Sequence, residues 1–400
     1  MSGKSSPPWA AHDVTQEPTG GTLNSAKVLH VVESLDRGAV ENWLLRCLRH
    51  ARQTNVAAEW TFYCALGVKG RLDDEVRSLG ARVVYSPVPL RQIAGFVRAL
   101  RAELRHGRYD VLHCHHDLVS GVYLLSALGL PIRKTLVHVH NADEIVPTSS
   151  TLKRLIVKPL LRRICLQLAD TIVGISRHTL ATFVDGRTLP VRKGCVHYYG
   201  VDPTAFKGAS IAREAVRRTL RIPEHAPVLL FAGRMVPEKN PLFAVEVLAE
   251  LRELVPDAIG IFAGAGALES EVRTRAQSLG LDGAFLYLGW RADIASIMCA
   301  SDLFILPHPE IPMEGFGLAV AEAQLAGLHL LLSRGVPDDP LLPSASFRRI
   351  SMSATPQTWA RAGAYLLTQP APSCETALAE LGNSPMDMDT ALSGLMRLHR

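Results

Sequence analysis

No stretch of this 400-residue sequence reaches the ~18 uninterrupted apolar residues that a membrane-spanning helix requires, although 48% of it is hydrophobic. The N-terminus does not join a basic segment to an apolar core and cleavage site, so a cytoplasmic location is expected. Cysteine is sparse and scattered. Its seven copies form no C-x-x-C pair, which argues against a disulfide framework or a zinc site and for buried thiols. Aromatic residues are only 6% and do not interleave with basic clusters, so no nucleic-acid partner is expected.

Charge is present but unevenly divided. Residues 1–200 carry 26 Lys and Arg against 16 Asp and Glu, whereas residues 201–400 carry 17 against 22. A basic first half suits an anionic membrane surface as well as it suits an ordinary solvated face. Within it, residues 152–168 (LKRLIVKPLLRRICLQL) mix basic and apolar positions; a helix packed in the domain and a helix resting on a membrane both fit that pattern. Residues 1–24 are rich in Pro, Gly, Ser and Thr without hydrophobic periodicity and read as a disordered tail.

From Lys27 onward, short β-branched or Leu-rich runs alternate with amphipathic stretches, the pattern of a parallel sheet covered by helices on both faces. The rhythm pauses around residues 200–207 and then restarts. Two doubly wound α/β domains are expected, over residues 25–206 and 207–400, facing each other across a cleft, with the last helix crossing back to the first domain. In such sheets ligands sit beyond the carboxyl ends of the strands. The first strand is followed by Arg37-Gly38-Ala39-Val40-Glu41 and not by G-x-G-x-x-G, which argues against a nicotinamide-dependent oxidoreductase.

Two stretches in the second half carry the chemistry. Arg234 and Lys239 follow the strand Val228 to Ala232 and would converge on one anion, a pyrophosphate being the natural candidate. Cleaving a sugar–diphosphate bond leaves charge on the departing phosphate, which cations and backbone N–H groups can meet without a metal. The segment from Pro309 to Glu322 follows the strand Leu303 to Leu306. Its Gly315 and Gly317 permit close backbone approach, and a helix starting near Leu318 would turn free N–H groups toward an anion. Glu314 can accept bonds from sugar hydroxyls and Glu322 from ribose hydroxyls.

These stretches, with much of residues 26–345, resemble the family 4 glycosyltransferases of the GT-B fold. The resemblance implies two Rossmann-like domains and a retaining transfer from a nucleotide-diphosphate sugar, with no other cofactor and no metal. It implies that Arg234 and Lys239 hold the donor diphosphate, Glu314 the transferred sugar and Glu322 the ribose. The backbone over Gly315, Phe316, Gly317 and Leu318 would support phosphate and sugar. Gly38 would belong to the glycine-rich donor loop, although Ala39 stands where a second Gly is usual. Tyr109 to Asp117 and Val137 to Asn141 are similar to the exopolysaccharide branch. They imply His140 as the polar residue nearest the reacting centre, with His115 second to it, and a glycan or isoprenoid-diphosphate-linked acceptor. Tyr199 stands where the family's interdomain segment usually has Asn.

The histidines at 113, 115, 116, 138 and 140 raise the question of a metal cluster. Their alternation along two strands is taken to point neighbours to opposite faces, with His138 turned away from His140, so no metal is expected. Two other readings stand beside transfer: a sugar-nucleotide epimerase of the same fold, and a non-catalytic partner subunit.

Overall fold

A parallel strand covered on both faces must be apolar on both sides of its pleat, and Val28 to Val32, Val111 to Cys114 and Leu303 to Leu306 are buried throughout. The computed structural model describes residues 26–36, 38–141, 153–190 and 193–400, side chains at 153, 154, 209 and 210 excepted. The expected tail at 1–24, Arg37 and residues 142–152 lie outside the described residues.

The chain forms two compact units, residues 1–200 with 388–400 and residues 201–387. In the first, β1 (Lys27–Val32), β2 (Glu59–Cys64), β3 (Arg82–Tyr85), β4 (Val111–Cys114), β5 (Lys134–Val139), β6 (Thr171–Gly174) and β7 (Gly194–Val196) form one sheet in the order 3-2-1-4-5-6-7. In the second, β8 (Val228–Ala232), β9 (Ile259–Ala263), β10 (Phe285–Gly289), β11 (Leu303–Leu306), β12 (His329–Ser333) and β13 (Phe347–Ile350) follow the order 10-9-8-11-12-13. Every pairing is parallel. The strand order reverses at β1/β4 and at β8/β11, the places where adjacent loops part and leave a crevice. The sequence reading missed two strands. β7 has only three residues, and β13 (FRRI) is a half-exposed edge whose charges mask its pattern.

The boundary falls at Gly200/Val201, so residues 201–206, assigned to the first half from sequence, pack with the second unit. The Val201 N–H donates to Met386 O at 2.8 Å. The helix Met388–Leu398 belongs to the first unit, where it packs on the helix Ala39–Gln53. Its Asp389 meets His50 Nε2 at 2.6 Å and its Ala391 carbonyl accepts from His197 Nε2 at 2.8 Å.

In the second unit a polar node ties a helix to the strand starts. Arg217, 4% exposed, donates to Asp302 at 2.8 Å and to the carbonyls of Ala300, Pro223, Glu224 and Ala226 at 2.9 to 3.0 Å. Asp302 also accepts from the Val228 N–H at 2.7 Å and from Arg213 at 2.7 Å. Removing the guanidinium strands these acceptors, so Arg217→Met should lower unfolding free energy by ~3 kcal/mol in a urea titration. A loss below ~0.5 kcal/mol would show that the node is dispensable.

Candidate active site

The mouth of β8 and β11 is built by close backbone approach. Beyond β8 the pairing with β9 continues, with Gly233 N–H to Ala263 O and Met235 N–H to Ala265 O both at 3.0 Å. A Cβ at Gly264 would collide with the Gly233 carbonyl, and Gly264 has φ +144°, so glycine is required there by the neighbouring strand. A 3₁₀ turn, Pro237–Lys239, then presents Lys239.

Lys239 Nζ bonds Glu314 Oε2, and His308 Nε2 lies 3.7 Å from the same oxygen. Burial opposes ionisation of Glu314, but Lys239 and His308, together with the Gly315 N–H, hold its carboxyl below the usual range. His308 is itself pushed down, chiefly by burial. Its Nδ1 donates to Pro309 O at 3.0 Å, since a carbonyl only accepts, and this bond turns Nε2 toward Glu314. The sequence reading did not single out His308, whose signal is its place just past β11.

Glu314 is fixed from behind by its N–H to Gly335 O at 2.7 Å. Phe316 is buried, and Gly317, at φ +88°, turns the chain into the helix Leu318–Leu325 that carries a partly buried Glu322. Arg234 is exposed; its carbonyl accepts from the Val236 N–H at 3.0 Å, while its side chain makes no hydrogen bond or ion pair among the described residues. Arg291 is occupied by Asp293 through two bonds of 2.7 and 2.8 Å. The second unit thus joins Lys239, Glu314 and His308 in one cluster and leaves Arg234 outside it.

In the first unit, Gly38 is the extended N-cap of the helix Ala39–Gln53, at φ −80°. A Cβ there would meet the far end of the flexible Glu41 side chain, which would have to swing aside. Burial raises the Glu41 carboxyl to about 7, opposed by a backbone hydrogen bond and reinforced by Glu33 and Asp36.

His140 is 5% exposed, and burial pushes it down to about 3, so its ring is neutral. Both nitrogens are engaged: Nδ1 with Tyr199 Oη at 2.7 Å and Nε2 with His115 Nδ1 at 3.0 Å. His115 continues to His30 at 2.9 Å. A second row runs from His138 to His113 at 3.2 Å and on to His399 at 3.0 Å. The expectation that His138 faces away from His140 is wrong: the two rings stack with centroids 4.5 Å apart. Residues two apart on a strand share a face, so each His-x-His pair points one way. His30, His113 and His399, and likewise His113, His115 and His138, bring ring nitrogens within 4.8 Å.

The segment expected as a helix at 152–168 is a π turn, Lys153–Val157, running into the helix Lys158–Leu168. Leu155, Ile156 and Leu160 are 63%, 57% and 53% exposed, with Arg163 exposed beside them. The fully packed reading therefore fails for its first two turns.

Solved structures share this architecture. Anabaena HepE in complex with UDP superposes with a TM-score of 0.75 at 18% identity, over 93% of this chain and 98% of that one. WaaG, a glycosyltransferase involved in lipopolysaccharide biosynthesis, gives 0.67 at 16% identity, over 91% and 95%. The fold is that of the GT-B glycosyltransferases. Residues 40–205 match the Glycosyltransferase Family 4 domain and residues 212–338 the glycosyl transferases group 1 domain. The chain belongs to the family 4 glycosyltransferases and is an enzyme of that class. It is 26% identical over 375 residues to a Bacillus subtilis (strain 168) protein named as glycosyltransferase EpsF, covering 90% of this chain and 94% of that protein. It is 28% identical over 275 residues to the Escherichia coli UDP-Gal:alpha-D-GlcNAc-diphosphoundecaprenol alpha-1,3-galactosyltransferase, covering 66% and 67%.

Glu41 supplies a pH test of stability. Its carboxyl titrates near 4.5 when free and near 7 in the fold, so the native state holds the proton more tightly. This contribution is complete below pH 4.5 and is lost as pH rises toward 7. Glu41→Gln should match wild type in acid and become progressively the more stable of the two up to about pH 7 by thermal melts. Parallel curves across that range would refute the assignment.

Proposed function

We propose that this enzyme transfers a hexose-type sugar from a nucleotide-diphosphate sugar to a glycan or lipid-linked acceptor, with retention of configuration and without a metal, in surface polysaccharide biosynthesis. The observation that carries this reading is the partly buried Lys239–Glu314 pair at the β8/β11 reversal, beside the Gly315 to Leu318 loop. An ammonium has three donors, so Lys239 can keep Glu314 and also take a phosphate oxygen. Glu314 would then face sugar hydroxyls, Glu322 the ribose, and exposed Arg234 the outer phosphate. Gly38 would serve the donor loop through the helix start it shares with Glu41.

In the proposed step the acceptor hydroxyl attacks the anomeric carbon on the face from which the diphosphate leaves. The bond from that carbon to the phosphate oxygen breaks as the new glycosidic bond forms, and the acceptor's proton passes to the departing phosphate. Lys239, Arg234 and the loop N–H groups would stabilise the charge that develops there. The relatives support this substrate class: HepE is described with UDP, and the Escherichia coli enzyme is named for a diphosphoundecaprenol acceptor.

A panel of nucleotide sugars tested by calorimetry, with and without EDTA, examines the reading. One donor should bind with or without chelator, and Lys239→Ala and Glu322→Ala should each weaken it at least about tenfold while keeping the wild-type melting profile. Folded wild type that binds none of the donors would sink it.

The acceptor class implies work at the inner face of a membrane, and Leu155, Ile156 and Leu160 beside Arg163 have the chemistry of a surface contact with anionic lipid. Vesicles containing anionic phospholipid should retain wild type at low salt. Replacing Leu155 and Ile156 together by Ser should reduce retention several-fold. Equal retention of both proteins would remove the contact from the proposal.

A further inference from the structure

Seven histidines, His30, His113, His115, His138, His140, His197 and His399, are buried in the first unit. Burial pushes all of them down, His30 and His140 to about 3, so each ring is neutral and has one N–H and one lone pair to place. The two triads of ring nitrogens have the spacing of metal ligands. Most of their facing nitrogens, however, are already paired at 2.9 to 3.2 Å, and the triads consist of histidine alone, with no anionic ligand to offset a buried cation.

What the pairing does constrain is the proton order. Tyr199 Oη, His140, His115 and His30 are joined end to end, and a neutral ring that accepts at one nitrogen must donate at the other. The row therefore has two internally consistent arrangements. In one, Tyr199 donates to His140 Nδ1, each ring passes a proton along from Nε2, and His30 is left with an N–H on its own Nε2. In the other, every ring carries its proton on Nδ1 and His140 donates to Tyr199.

The far end decides between them. His30 Nε2 is buried without a partner, and the Trp60 indole lies at 63° to the ring with centroids 4.7 Å apart. The Trp60 Nε1–H is likewise buried and unpaired. A lone pair beside such surroundings is tolerated, whereas an N–H with no acceptor loses its hydration for nothing.

We propose that Tyr199, His140, His115 and His30 form a hydrogen-bond relay that fixes the His140 proton on Nδ1, so that His140 meets a substrate oxygen as a hydrogen-bond donor and not as a base. His115 and His30 are positioning residues, and Tyr199 is the stand-in acceptor that a substrate oxygen displaces. The role given to His140 toward substrate rests on the transferase reading; the proton order does not.

The test is nitrogen NMR of the full-length protein labelled at histidine, which distinguishes Nδ1–H from Nε2–H rings without any substrate. In wild type, His30, His115 and His140 should all carry the proton on Nδ1, against the preference of free imidazole side chains, by about tenfold or more. Tyr199→Phe removes the acceptor at one end and leaves an unpaired N–H in either arrangement. It should therefore shift His30, at the other end of the row, to a mixture of both forms. Placing His115→Phe in the middle should abolish that response of His30 to Tyr199→Phe. A wild-type His140 protonated on Nε2, or a His30 that ignores Tyr199→Phe in a folded protein, would overturn the relay. Failure of every nucleotide sugar to bind would instead defeat the transferase reading and leave these tautomers as they are.

Discussion

Burial of both faces of a parallel sheet is the constraint on which the rest of this structure depends. With helices on either side, side chains along the strands are mostly apolar or paired with one another, and the polar groups able to meet a ligand lie where strands stop. The order reversals at β1/β4 and β8/β11 concentrate those ends. Lys239, His308 and Glu314 issue from the second reversal, Gly38 and His115 from the first.

The two units meet the cost of buried polarity in opposite ways. At the β8/β11 mouth the groups stay charged and neutralise each other, Lys239 against Glu314. In the first unit the imidazoles surrender their charge altogether and spend their nitrogens on one another. A charged pair leaves a site ready for another ion; a neutral row carries only direction, the sense in which each proton points.

Much of this was legible in the sequence. Strand runs such as Val228 to Ala232 and Leu303 to Leu306 could be read because two-sided burial forces uninterrupted apolar residues. The acids at 314 and 322 stood out because they flank glycines at a helix start. Three features were not legible, for three reasons. His308 stands just past β11 but gains its meaning only when Glu314 folds back beside it. Gly38 caps the helix that carries Glu41, three residues on, and the burial that raises the Glu41 carboxyl is not visible in sequence. The shared face of His138 and His140 was available from the period of a strand and was misjudged; what sequence could not supply was that His30 and His399 join them.

The helix Met388–Leu398 and His399 complete the first unit although they are separated from it in sequence by the whole of the second. On a ribosome, the chain through Gly200 emerges long before this segment does. Until residues 388–399 are made, the face of the helix Ala39–Gln53 that they cover is open and His113 lacks its last partner. The nascent first unit must therefore wait, incompletely closed, while the second is made and can fold. A ribosome that stalls between residues 350 and 388 leaves a product with its second sheet made and the first unsealed, whose exposed apolar face marks it for chaperones or proteolysis.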